Sequence, residues 1–394
     1  MEKMKDASVK LKLSVIGVGN AGCQAVQLAK QYGHNVFAIN SSEKDLADNI
    51  IDKSINAILI GNRRGAGKNR TTAKEFLKFE LKNLFTNEDF LEIVEPADVV
   101  VVVGSTAGGT GSGIGPLLTN RIQVTYPGKI CIFFGVIPKH AESAQAQFNA
   151  LECVNEASHD SLKMPYILAD LNKFEEDAND LAYRKMSEYI VDCLNILRGD
   201  LLVDSPYGMI DESDLLTILA EPGYMSIYHL KDITQKKLES STTQSMLISS
   251  IKNSPATMIQ KDGIVHKMGL MINTPEQVND PCKSGNFSEL QEFVGFPLDT
   301  FLNYAISETP KGEIALIMSG LSKPIDRLSE CTAIAKRFTD AINKKDNGSV
   351  SDEMKEILGV KEAQSSLDRN KVIGSANERV VSATEVANDI PDIF

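Results

Sequence analysis

The sequence predicts an α/β protein: a doubly wound parallel sheet, a long central helix, a second, smaller α/β domain and a mostly disordered C-terminal tail. Three observations carry this reading. Val99 to Val103, five consecutive valines, form a run too short for a membrane span, and it reads as a strand buried on both faces, as parallel strands are. A unit of strand, glycine-bearing turn and helix recurs. Leu11–Ile16 enters Gly17-Val-Gly-Asn-Ala-Gly22 and a helical stretch from Cys23. Ala57–Ile60 enters Gly61 to Arg70 and a helix from Thr71, and the valine run enters Gly104 to Gly113 before Ile114, Leu117 and Leu118 begin a helical pattern. Finally, Met186, Tyr189, Ile190, Cys193, Leu194 and Leu197 recur at helical spacing before Arg198, giving one long buried face. The expected units are 1–177, a central helix over 178–204, a second domain over 205–342 and a tail over 343–394.

Composition narrows the function. The 394 residues accommodate two ordinary domains and a tail. A net charge of −12, from 53 acids against 41 bases, argues against generic binding to DNA or to an anionic membrane. Six cysteines lie far apart without a CxxC and read as reduced thiols of a cytosolic protein. Five scattered histidines include no HExxH, which argues against a zinc site. The opening MEKMKDASVK has no apolar signal core and no stretch reaches the length of a membrane helix, so a cytoplasmic chain without membrane insertion is expected.

The chemistry concentrates in the turns. Glycines from Gly104 to Gly113 let the backbone approach a ligand and accept positive φ at little cost. The N–H groups freed there, with the positive end of the next helix, suit phosphate. Ser105, Thr106, Thr110 and Ser112 add hydroxyl donors. The alternative is a flexible glycine loop without a ligand. No lysine lies between Val99 and Leu118, which rules out a Walker A loop. The GxGxxG at Gly17–Gly22 would, as a dinucleotide site, want an acid at the tip of the second strand. That strand, Val36–Ile39, ends instead in Asn40-Ser41-Ser42. Gly65-Ala66-Gly67-Lys68 is a cationic glycine turn, read either as a phosphate loop or as a solvated turn.

Further strands are expected at Lys129–Ile137 and Pro165–Ala169, with the acids Glu175 to Asp180 opening the central helix. Asp211 and Asp214, three residues apart at a loop-to-helix junction, come together once the turn forms. Asp211 reads equally as an N-cap. Beyond them the sequence predicts a helix over Asp232–Lys252, strands at Met268–Asn273 and Glu313–Ser319, and a helix over Ile325–Ala341. Residues 274–296 give no pattern, and a polar tail follows Asn343, with room for a short helix at Asp352–Leu358.

Ala107-Gly108-Gly109-Thr110-Gly111-Ser112-Gly113 resembles the GGGTG[ST]G signature loop of the tubulin/FtsZ family, with alanine in place of the first glycine. Other loops resemble the family in the same order. Gly19-Asn20-Ala21-Gly22-Cys23-Gln24 resembles the first nucleotide loop, and Ala38 to Ser42 the second. Gly65 to Arg70 resembles the third loop of the TubZ/PhuZ branch, and Ser319-Gly-Leu-Ser-Lys-Pro324 a segment of the same branch. The resemblance implies that Gln24 reaches the nucleoside, that Asn40, Ser41 and Ser42 lie near phosphates and magnesium, and that Gly65 to Lys68 respond to the γ-phosphate. It further implies Glu142 and Asn172 for the sugar or base, although Ala146 stands where the family has an arginine, and Asp180 for guanine. Asp211 and Asp214 would enter the site of a neighbouring subunit and position the attacking water. The whole then reads as a GTPase that polymerises head to tail, using GTP/GDP and Mg2+ held through phosphates and water, with no direct DNA binding. Positioning of plasmid or phage DNA is the branch's role. Asp389-Ile-Pro-Asp-Ile-Phe394 resembles the FtsZ C-terminal peptide, which favours a division-ring protein instead and implies docking of an adaptor or a neighbouring subunit. A Rossmann-type dinucleotide-dependent enzyme is the reading from another class.

Overall fold

The computed structural model describes residues 10–203, 205, 209–256, 264–275, 286–307 and 309–346. From the N-terminus, β1 (Leu13–Val18), α1 (Gly19–Gln31), β2 (Asn35–Asn40), α2 (Glu43–Asn49) and β3 (Asn56–Leu59) alternate, followed by α3 (Arg70–Leu84) and α4 (Glu88–Val94). Next come β4 (Val99–Ser105), α5 (Thr110–Thr125), β5 (Ile130–Ile137), α6 (Ala144–Ala157) and β6 (Pro165–Asp170). A 3-10 turn over Leu171–Phe174 precedes the central α7 (Asn179–Arg198), which ends on Gly199 in the left-handed conformation at φ 90°. The C-terminal region holds α8 (Glu212–Leu219), β7 (Gly223–Ile233), α9 (Gln235–Ser240), α10 (Thr243–Asn253) and β8 (Val265–Thr274). It closes with α11 (Ser288–Val294), β9 (Pro297–Ile306), β10 (Gly312–Leu321) and α12 (Ile325–Asp346).

All ten strands belong to one sheet in the order β3-β2-β1-β4-β5-β6-β7-β10-β8-β9. Neighbours from β3 through β7 are parallel, β10 runs antiparallel to both β7 and β8, and β9 is parallel to β8. The valine run behaves as expected of a strand buried on both faces. Val99, Val101 and Val103 enter one core with α1 and α7, while Val100 and Val102 enter another with α3 and α5. Strand order reverses between β1 and β4, and crevices for ligands open beyond the carboxyl ends of strands at such a point.

In the second α/β region β7 pairs with β6 and continues the sheet. Two expectations are corrected. The helix expected over Asp232–Lys252 is the end of β7 followed by two helices, because Ser241 is extended and Thr242 recaps the chain, accepting from Ser245 N. Lastly, α5 starts at Thr110 rather than Ile114. Glycine and Pro116 make its first turns poor intrinsic helix, but tertiary packing overrides propensity. A Cβ on Gly111 would lie 2.7 Å from Ser105 O, and one on Gly113 2.7 Å from Arg70 O, so the helix can press against both neighbours only without side chains there. The peptide 389–394 and the helix expected at 352–358 lie outside the described residues.

Candidate nucleotide site

A cavity of about 480 Å³ opens at the reversal point, walled by the turns after β1, β2, β3 and β4. Its floor is the meeting of two helix starts. Among the described helices, α2, α3, α4, α6, α8, α9 and α10 have a side chain of the N-cap residue bound to their first turn. Helices α1, α5, α7 and α11 do not, and of these α1 and α5, with Val18 and Gly109 as N-caps, start at the cavity. First-turn N–H groups have no acceptor within the helix, so both starts present unused donors and positive dipole ends to one volume.

The remaining walls are tied together by backbone. Gly65 N donates to Ser41 O at 2.8 Å, and Ser42 bridges Arg64, joining the turns after β2 and β3. Positive φ at Gly65 (89°), Gly67 (58°) and Lys68 (59°) curls the cationic turn back on itself, and Asn69 N closes it on Ala66 O at 2.9 Å. The buried Ser41 and Thr110 hydroxyls share a hydrogen bond of 2.7 Å. Asn40 Oδ1 accepts from Ser41 N and Ser42 N, so the residue where a dinucleotide site would need a carboxylate folds its own turn instead.

The structure places Gly19, Asn20, Ala21, Asn40, Ser42, Gly65, Ala66, Gly67, Lys68, Ala107, Gly108, Gly109, Thr110, Gly111 and Glu142 on the cavity wall. Gly22, Gln24, Ser41, Ser112, Gly113, Asn172 and Asp180 are not on it. Gly22 brings α1 onto β4, where a Cβ would meet Val103 O at 2.4 Å. Two of the hydroxyls expected to face phosphate are turned inward: Thr106 Oγ1 donates to Val136 O and Ser112 Oγ to Gly108 O. None of the glycines from Gly104 to Gly113 has positive φ; close approach explains Gly104, Gly109, Gly111 and Gly113, whereas a Cβ on Gly108 would meet nothing within 4 Å, and Ala107 fits because its backbone needs no left-handed conformation. Asn172 accepts from His140 N at 2.9 Å, and Asp180 is exposed at the start of α7.

Sequence reasoning missed Asn149, Tyr183 and Asp45. Buried Asn149 on α6 donates its Nδ2 to Lys68 O and to Ala107 O, both at 2.9 Å, pinning the cationic turn to the signature loop. An asparagine inside an amphipathic helix was the only signal. Tyr183 and Asp45 line the cavity. Burial raises the Glu142 carboxyl above its ordinary value, against the Lys139 N–H and the charges of Lys68 and Lys139, which lower it. Tyr183 is raised by burial and then by Glu142.

Asp211 and Asp214 lie elsewhere. Asp214 N donates to Asp211 Oδ1 at 2.8 Å and Asp211 N to Asp214 Oδ2 at 3.2 Å, a reciprocal capping box, so the N-cap reading holds. Their helix α8 lines a separate cavity of about 680 Å³ with Ala97, Asp98, Lys129 and Ile130, at the amino ends of β4 and β5. The length of β4, roughly 20 Å, separates that edge from the glycine turns.

Residues 12–163 match the family model described as the Tubulin/FtsZ family, GTPase domain. This stretch is similar to a tubulin/FtsZ-family GTPase domain. A tubulin-like protein TubZ from Clostridium botulinum C phage is 26% identical over 213 residues, covering 53% of this chain and 56% of that one, so the match spans about half of that relative's length. Cell division protein FtsZ 1 of Thermococcus kodakarensis is 22% identical over 333 residues, 80% of this chain and 82% of its own. The family fold extends beyond the matched domain. Clostridium botulinum phage c-st TubZ superposes with a TM-score of 0.65 over 84% of this chain and 99% of that one, at 22% identity. CetZ2 from Haloferax volcanii, solved as a GTPγS-bound protofilament, gives 0.67 over 85% and 100%, at 17% identity. Among the described residues no helix is long and apolar enough to cross a membrane.

Proposed function

We propose that this chain binds and hydrolyses GTP and assembles head to tail into cytoplasmic filaments. One observation carries the reading: two uncapped helix starts and a cationic glycine turn meet at one cavity, while the helix opened by the paired acids lines a cavity at the opposite edge of the same sheet. Within one chain the length of β4, roughly 20 Å, separates that edge from the glycine turns, too far for those acids to act on a nucleotide there. In a head-to-tail contact the edge bearing α8 of one copy meets the glycine turns of the next, and such heterologous contacts propagate open filaments. The CetZ2 relative solved as a protofilament supports this arrangement.

The residues divide the work. N–H groups of α1, α5 and the turn at Gly65–Lys68 hold phosphate oxygens, and Lys68 adds charge where the γ-phosphate adds negative charge. Glu142 and Tyr183 form the wall toward the nucleoside, with Asp180 and Asn172 as flanking residues. Asp211 and Asp214 of a neighbouring copy orient the attacking water and accept its proton. Magnesium fits the donor set: Asp45, Ser42 and Thr110 offer only hard oxygens and the described residues hold no cluster of three potential ligands, so the ion would rest on phosphates and water. When bound it would neutralise phosphate charge.

GTPase activity per subunit should therefore rise with protein concentration through the onset of assembly; a flat value would overturn the reading. As the finer role we propose movement of plasmid or phage DNA as passive cargo, supported by the likeness to phage TubZ. Filaments that fail to co-localise with a labelled plasmid, and instead form a ring at the division site, would favour the FtsZ-type reading.

A further inference from the structure

One strongly buried charge of the chain lies behind the cavity rather than in it. Arg327, in the first turn of α12, is 6% exposed. Its Nε donates to Asp170 Oδ2 at 2.8 Å, and its Nη2 to Asp170 Oδ1 at 3.2 Å and to Pro138 O at 2.7 Å. Asp170 ends β6, and its Oδ1 also accepts from Asn172 N at 3.0 Å, which shapes the turn 171–174. Pro138 opens the turn that carries Glu142 to the cavity wall. The two turns are locked to each other by the bond from His140 N to Asn172 Oδ1. One turn further along α12, Glu330 meets His140 Nε2 at 3.0 Å. A C-terminal helix thus grips, from the rear, both turns that follow β5 and β6.

A buried ion pair is weak evidence for stability, since desolvation offsets the attraction. What the planar guanidinium supplies is geometry: its fork fixes two acceptors on different strands in one plane. We infer that Arg327 is a positioning residue for the nucleotide site. By holding Pro138 directly, and Asp170 with the Asn172 turn that ties to His140 N, it sets the placement of Glu142, and so the affinity for nucleotide, without touching the ligand. The inference rests on the nucleotide reading given above.

The test uses the full chain, below its assembly concentration, titrated with fluorescent mant-GTP and mant-GDP, alongside far-UV circular dichroism and thermal melting. Arg327→Met should weaken both nucleotides about tenfold, the scale on which small misplacements of a site act. It leaves Asp170 buried and unpaired and lowers the melting temperature. The double variant Asp170→Asn/Arg327→Met removes that orphan charge, while the amide oxygen introduced by the first substitution still accepts from Asn172 N. It should recover melting temperature but not affinity, and Arg327→Lys should bind with an intermediate constant. A double variant that binds like the parent chain would overturn the inference, because the arginine would then matter only for stability. Should Arg327→Met not fold, the double variant and Glu330→Gln carry the same comparison. A parent chain that binds neither nucleotide would overturn the nucleotide reading itself, a result distinct from a parent that binds and variants that bind equally.

Discussion

Replacing Asn149 with alanine tests whether the cationic turn and the signature loop act as one unit. Asn149 is 1% exposed, and its amide is the donor to Lys68 O and Ala107 O at 2.9 Å, with Gly108 O at 3.4 Å. Removing it strands two carbonyls in a buried site. Each unsatisfied acceptor costs about 1–2 kcal/mol, so about 2–4 kcal/mol in total, less whatever water enters the vacated space. Part of that cost falls on global stability, and a lower melting temperature should show it. The rest falls on the turn itself, which loses its fixed distance from α5, so GTP affinity should drop by about tenfold or more. Asn149→Asp, nearly isosteric but without a donor, should behave like alanine, whereas Asn149→Gln should restore part of the bonding. Isothermal titration with GTP and GDP, paired with melting curves, makes the measurement. Unchanged affinity in both Ala and Asp variants would refute the idea that these bonds assemble the phosphate wall.

Asp214→Asn keeps an acceptor for Asp211 N and so the cap of α8, while removing the charge; turnover should fall by roughly 100-fold or more with GTP binding intact, as read by phosphate release above the assembly concentration. Gly111→Ala places a methyl 2.7 Å from Ser105 O and 2.9 Å from Ser105 N, both backbone, so α5 must move off β4; expression of folded protein or GTP binding should collapse, and a normal melting temperature would contradict the packing argument. GTP, and not NAD, should raise the melting temperature, since stabilisation of about 2.7 kcal/mol accompanies ligand at 100 times its Kd. Glu313 is held below its ordinary value of 4.5 chiefly by the hydrogen bond from His229 Nε2 at 3.0 Å, with burial working against it. Its contribution is therefore present above the unfolded value and lost as pH falls through the lower folded one, and Glu313→Gln should flatten the acid limb of the stability profile.

Local pattern was sufficient for the parts of this protein whose physics is local. Five valines in a row state a strand buried twice over, and the turns after β1, β3 and β4 carry their glycines in the order that predicts the crevice. Asp211 and Asp214 announced a helix start, which is what their backbone bonds make of them. Long-range neighbours decided the rest. Nothing near Asn149 or Arg327 in the chain reveals that one will join two turns 42 and 81 residues away, or that the other will span 157 residues to Asp170. The roles of the glycines were not written in their spacing either, since Gly22 and Gly113 serve helix packing while Gly65 and Gly67 supply the positive φ that curls the cationic turn. Side-chain periodicity encodes which face is buried; which residues meet across the sheet is set only when the strands assemble, and the site exists where the strand order turns between β1 and β4.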